Sequence, residues 1–133
     1  MASDEVKSDR RYTKDHEWAQ PHDGKVRVGI TAFAVDQLGD ITLVNLDVKA
    51  GDVLTVGKAF GTIESVKTLS DLFAPLSGKV ASVNAELENS PELVNEDCYD
   101  KAWMIEIVPS DAKELEGLLD SGAYAELLKT AGH

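Results

Sequence analysis

The sequence predicts a mainly β domain, a sandwich or barrel of short strands, with helices added late in the chain. Three observations carry this. Short runs of strand-forming residues are separated by Gly- and Pro-bearing turns at roughly 8–12-residue intervals. Apolar residues recur mostly with strand periodicity up to Val108, and with helical periodicity only after it. The chain has 133 residues, 43% of them hydrophobic, which suits one domain with one ordinary core.

Residues 1–10 are charged and aperiodic and read as a flexible N-terminal arm, leaving 11–133 as a single domain. Pro21-His22-Asp23-Gly24 is turn chemistry. Lys25 to Ile30 follows as a half-buried strand, with Val26, Val28 and Ile30 on one face. Thr31 is placed to cap a short helix through Leu38, and Gly39 to stop it. Ile41 to Leu46 reads as a more buried strand, and Gly51-Asp52 as a turn. Phe60 to Val66 and Leu69 to Phe73 are two further strands, with Lys67-Thr68 between them. Pro75-Leu76-Ser77-Gly78 turns the chain into a weaker strand, Lys79 to Asn84. Residues 85–101 read as a connection with a helical turn that Pro91 is placed to start. Trp103 to Val108 is apolar except for Glu106 and reads as a central strand. Leu115, Leu118 and Leu119, then Tyr124, Leu127 and Leu128, mark two short helices, with Ser110 and Ser121 as candidate N-caps.

Charge excludes some classes of partner. With 13 basic and 24 acidic residues the net charge is −11. Nucleic acid and anionic membrane surfaces are repelled by such a chain, whereas partners with positive patches are attracted. Cys98 is the only cysteine, so neither an intrachain disulfide nor a cysteine metal cluster is expected. The polar start of the chain has no signal-peptide character, and no apolar run approaches the ~20 residues of a membrane span. A cytoplasmic protein is expected, with the mitochondrial matrix as the alternative for a mature form.

Few residues present themselves for chemistry. There is no dinucleotide fingerprint, phosphate loop or nucleophile-elbow serine. His16, His22 and His133 are scattered without metal spacing, so no metal is expected. Trp18, Trp103 and Phe73 read as buried or half-buried anchors, and His16 as a hydrogen-bonded structural residue. The segment Gly61 to Asp71 is different. If its two strands form a hairpin, Lys67 projects from the tip on a flexible stem, accessible to a modifying enzyme. On pattern alone it is equally an ordinary solvated lysine.

A wider resemblance bears on that choice. Glu64-Ser65-Val66-Lys67 with Ser70-Asp71 resembles the lipoylation signature of the glycine cleavage system H protein family. Asp15-His16-Glu17-Trp18, Val28-Gly29-Ile30-Thr31 and Leu38-Gly39-Asp40-Ile41 resemble earlier blocks of that family. Ala74 to Val80, Ser90 to Asn95 and Trp103-Met104-Ile105 resemble later ones, in the right order over about residues 11–128. The run Asp47 to Asp52 and the pair Lys101-Ala102 depart from the family pattern.

The resemblance implies a barrel-sandwich hybrid of two antiparallel sheets with short helices, including a C-terminal helical segment. It implies a lipoyl group on Lys67 and a carrier that is not itself an enzyme. Such a carrier takes an aminomethyl group from glycine decarboxylase to a tetrahydrofolate-dependent aminomethyltransferase. Its dithiol then goes to dihydrolipoamide dehydrogenase. A lipoyl-attaching enzyme is the fourth partner, and a monomer is expected. Glu64 is a candidate for recognition by that enzyme. Glu17 and Asp71 are candidates for a cleft that protects the loaded arm and holds its cationic amine. Another lipoyl-dependent pathway, in sulfur metabolism or lipoate relay, and an unmodified interaction module remain the alternatives.

Overall fold

The computed structural model describes residues 6–131. In chain order the elements begin with β1 (Arg11–Tyr12), β2 (Glu17–His22), β3 (Lys25–Ile30), α1 (Ala32–Leu38) and β4 (Ile41–Leu46). Next come β5 (Val53–Leu54), β6 (Ala59–Ser65), β7 (Leu69–Phe73) and β8 (Gly78–Val83). The chain ends with α2 (Glu86–Asn89), α3 (Leu93–Glu96), β9 (Ile105–Pro109), α4 (Ala112–Glu116) and α5 (Ser121–Ala131).

Two antiparallel sheets result. One has six strands in the order β1-β2-β3-β9-β8-β5, and the other three in the order β4-β6-β7. Their inner faces meet over Val28, Ile105 and Ile107 from the larger sheet and Val44, Phe60 and Ile63 from the smaller, all 0–1% exposed. A second cluster joins the N- and C-terminal segments. In it Tyr12 and Tyr124 stack with ring centroids 4.4 Å apart, beside Trp18, Phe33 and Tyr99.

Most strands lie where periodicity places them, and the differences have local causes. The β2–β3 turn is Asp23-Gly24 alone, with φ of 52° and 78°, the two positive values a two-residue hairpin turn requires. Pro21 is therefore the penultimate residue of β2, opposite Val26, rather than the start of a turn. The β4 strand is half-buried and not deeply buried, because Thr42, Leu43 and Asn45 face solvent and a register shift separates Ile41 from Leu43. The last long strand starts at Ile105, since Trp103 and Met104 belong to the incoming loop.

The C-terminal caps also differ from expectation by one residue. Asp111, not Ser110, caps α4 by accepting from Lys113 N–H. Asp120 accepts from Ala123 N–H at 2.8 Å ahead of Ser121, the first residue of α5. Leu118 and Leu119 lie outside any helix, and Leu119 exchanges backbone hydrogen bonds with Tyr12. Of the expected arm 1–10, residues 1–5 lie outside the described residues. Arg10 is built into the fold: it is 8% exposed, stacks on Trp18 at 4.6 Å and donates to Tyr99 O.

Candidate functional site

The β6–β7 hairpin turns through Ser65 to Thr68, and Ser65 organises it. Its N–H donates to Thr68 O at 2.8 Å, while its hydroxyl oxygen accepts from the N–H groups of Lys67 and Thr68 at 3.1 and 3.2 Å. A small hydroxyl at the start of the turn thus satisfies two N–H groups at its tip. Val66 N–H donates to Asp40 O at 3.0 Å, which stitches the tip to the corner between α1 and β4.

That corner is itself held from a third element. Asn95 of α3 accepts from Ile41 N–H at 2.9 Å and donates to Gly39 O at 3.0 Å. Gly39 has φ 83° and ψ −151°, a conformation that essentially only glycine adopts. A β-carbon there would lie 3.4 Å from Lys67 Cε. The lysine stem thus leans over the Gly39 corner rather than pointing straight away from the sheet. Lys67 is exposed, and among the described residues no carboxylate forms an ion pair with it.

Glu64 is half-buried, three residues before the lysine, with Leu43 and Leu69 directly opposite it. Asp71 is exposed. Alternation puts it on the same face of β7 as Leu69 and Phe73, so it stands between the tip and the far end of the strand.

At that far end is a cleft of about 330 Å³. Its walls come from Tyr12 to Asp15, Val56-Gly57, Phe73 to Pro75 and Gly117 to Leu119, with Glu17 among the lining residues. Glu17 is 3% exposed. One carboxylate oxygen accepts from Phe73 N–H at 2.9 Å, the other from the Thr13 hydroxyl at 3.1 Å. Burial pushes its pKa up to about 7 against those two hydrogen bonds, and the nearby charge of Asp15 adds to the rise. The structure therefore brings Glu17 into the cleft and leaves Asp71 outside it, on the approach along β7.

The comparisons with known proteins agree with one another. A family model described as Glycine cleavage H-protein matches residues 10–131. The chain belongs to the glycine cleavage H-protein family. A glycine cleavage system H protein of Oceanobacillus iheyensis is 54% identical over 91% of this chain and 95% of its own length. One from Anaeromyxobacter sp. is 51% identical over 90% of this chain and 93% of its own. The crystal structure of a glycine cleavage system H protein from Mycobacterium marinum superposes with a TM-score of 0.82 at 36% identity, covering 96% of this chain and all of that one.

Within the H-protein frame, the departures noted in the sequence are accommodated. Asp52 accepts from Lys49 N–H to close the turn that carries Gly51 at φ 99°. Ala102 is 1% exposed, and Lys101 O accepts from Asn84. His16 has the hydrogen-bonded place expected of it, with Nδ1 2.8 Å from the Tyr124 hydroxyl. Sequence reasoning did not single out Thr13, Phe73 N–H or the two bonds of Asn95. Only Asn95 left a trace there, as the last residue of the Ser90 to Asn95 block.

Proposed function

We propose that this H protein is the lipoyl carrier of a glycine cleavage system, with lipoate in amide linkage to Lys67. The observation that carries the reading is the Ser65-braced hairpin, which presents an accessible amine beside a corner that glycine alone can form. The residues present fit the group. Among the described residues no carboxylate pairs with the amine, and a mostly apolar cleft with one buried acid opens along the same strand. From Leu69 to Phe73 the path is about 13 Å at the usual rise per strand residue. When bound, the dithiolane supplies the disulfide that accepts an aminomethyl group and the dithiol that a flavoenzyme reoxidises.

This chain's own part is presentation and protection. Ser65 and the Gly39 corner fix where the stem leaves the sheet, and the tether keeps cargo near each partner. Phe73, Ala74 and Pro75 exclude water from the cleft, and Glu17 offers a buried carboxylate to a cationic amine. Asp71 offers a second carboxylate on the way, and Glu64 marks the hairpin for the attaching enzyme. The partners are the decarboxylase, the tetrahydrofolate-dependent aminomethyltransferase, the dehydrogenase and that attaching enzyme. The carrier works as a monomer in a bacterial cytoplasm, in line with its bacterial relatives.

Intact-mass spectrometry with peptide mapping tests the reading. A lipoyl mass on the Lys67 peptide is expected, and it disappears in Lys67→Arg. An unmodified Lys67 after incubation with a competent lipoate-attaching enzyme, lipoate and ATP overturns it. For the cleft, the loaded arm hydrolyses faster in Glu17→Ala than in the wild type; equal rates remove Glu17 from this role.

A further inference from the structure

The loop between β1 and β2 closes on one side chain. Thr13 Oγ1 accepts from the N–H groups of Asp15 and Glu17, both at 3.2 Å. A hydroxyl has two lone pairs and one proton. Here backbone donors occupy both lone pairs, so the proton goes to a third partner, and Glu17 Oε1 stands 3.1 Å away. The main chain locks the same arrangement. Thr13 N–H donates to Glu17 O at 2.9 Å, and His16 N–H to Thr13 O at 3.1 Å. His16 takes φ 67°, which folds the loop back and sets residue 17 against residue 13. The Thr13 hydroxyl is thus a donor of fixed direction, half-buried in the cleft wall.

Glu17 depends on such donors. Its carboxylate is almost fully buried, and among the described residues no cation forms an ion pair with it. The other oxygen takes Phe73 N–H, a main-chain group present whatever side chain stands there, proline excepted. Thr13 is the donor that residue type decides. The titratable neighbours do not replace it. Asp15 opposes ionisation, Lys14 lines the cleft but is exposed, Tyr12 gives its hydroxyl proton to Lys7 O, and His16 turns Nδ1 to Tyr124. The remaining walls, Val56-Gly57, Phe73 to Pro75 and Gly117 to Leu119, carry no charge. Burial raises the pKa of Glu17, and the hydrogen bonds from Phe73 and Thr13 pull it back.

Resting on the carrier reading above, we propose that Thr13 is a positioning residue for protection of the loaded arm: its hydroxyl holds Glu17 Oε1 in the cleft and favours the ionised carboxylate, the form that attracts a cationic amine. Thr13 acts through Glu17 and not on the cargo itself. The protonated carboxyl is neutral and suits the uncharged dithiolane. Thr13 therefore sets the pH above which the cleft prefers the aminomethyl arm to the empty one.

Two variants separate the hydroxyl from the shape of the side chain. Thr13→Val keeps the shape and loses the proton, whereas Thr13→Ser keeps the proton and loses the methyl group. Urea denaturation confirms that both fold. On the unlipoylated chain, the NMR titration midpoint of the Glu17 carboxyl carbon should rise by about one pH unit in Thr13→Val and stay at the wild-type value in Thr13→Ser. On the lipoylated chain, loaded from glycine by a glycine decarboxylase, protection against hydrolysis is present above the Glu17 midpoint and lost below it. In Thr13→Val that limb moves to higher pH by the same amount, and the rates rejoin the wild type above about pH 9. Thr13→Ser restores the profile. In the wild type itself the Thr13 Cβ signal follows the Glu17 titration, a check that needs no variant. An unmoved Glu17 midpoint in Thr13→Val overturns the proposal, as does a flat Thr13 signal in the wild type. Hydrolysis faster by one factor at every pH also overturns it, since that assigns Thr13 to the scaffold alone. A wild-type chain that never accepts lipoate removes the carrier reading and this role with it, whereas an unmoved midpoint in a chain that does accept lipoate removes Thr13 alone.

Discussion

Replacing Glu17 with Gln changes how stability depends on pH. The carboxylate is 3% exposed and is held by two neutral donors, Phe73 N–H and the Thr13 hydroxyl. Burial raises its pKa from 4.5 to about 7. The folded chain therefore binds this proton more tightly than the unfolded chain. Below the unfolded value the group is protonated in both states and the stabilising contribution is complete. As pH rises through the folded value that contribution is lost. The gap corresponds to about 3 kcal/mol, at about 1.4 kcal/mol per pH unit. In Glu17→Gln nothing titrates at this position. The amide oxygen still accepts from one of the two donors, so the variant carries a constant offset of about 1 kcal/mol. Urea unfolding of both proteins from about pH 4.5 to about pH 8 separates the two effects, because all other titrating groups cancel in the difference. Stability of the variant minus that of the wild type should climb by about 3 kcal/mol across this window and level off above it. Parallel profiles would refute the buried, ionising Glu17 on which the cleft argument depends.

Other perturbations test the scaffold around the lysine. Gly39→Ala forces a side chain onto φ 83° and toward Lys67 Cε, and should cost about 1–3 kcal/mol in urea denaturation. Gly61→Ala sets a β-carbon 2.3 Å from Asn45 O, a backbone atom that moves only if β4 and β6 separate; a loss of about 3 kcal/mol is expected in the same assay. Tyr124→Phe keeps the stack on Tyr12 but removes a partner 2.8 Å from His16 Nδ1 and 2.7 Å from the Thr31 hydroxyl, which keeps only Ala34 N–H; thermal or urea unfolding should show a loss of about 1–3 kcal/mol.

Local chemistry explains why so much of the fold was legible. The alternation Val26, Val28 and Ile30 demands a half-buried strand whatever lies around it. Thr31 and Gly39 bound α1 because one accepts from Ala34 N–H and the other takes a positive φ, both properties of the residues themselves. The strands β1 and β2 were not legible, since Arg11–Tyr12 is too short to show a period and Pro21 looks like a turn residue. Its place in β2 depends on Asp23-Gly24 making the turn two residues later. The caps Asp111 and Asp120 adjoin serines with the same capping chemistry, so residue type alone did not separate the two choices.

By itself, then, the sequence determined the β architecture, the hairpin with Lys67 at its tip, and the family signature around it. These depend on residues close together in the chain, whose side-chain period and turn chemistry act locally. Tertiary structure alone decided what surrounds that lysine. Glu17 meets Phe73 N–H across 56 residues, Asn95 reaches Gly39 across another 56, and Leu43 joins Leu69 only through Glu64 between them. Burial, not residue type, lifts the pKa of Glu17 toward neutrality.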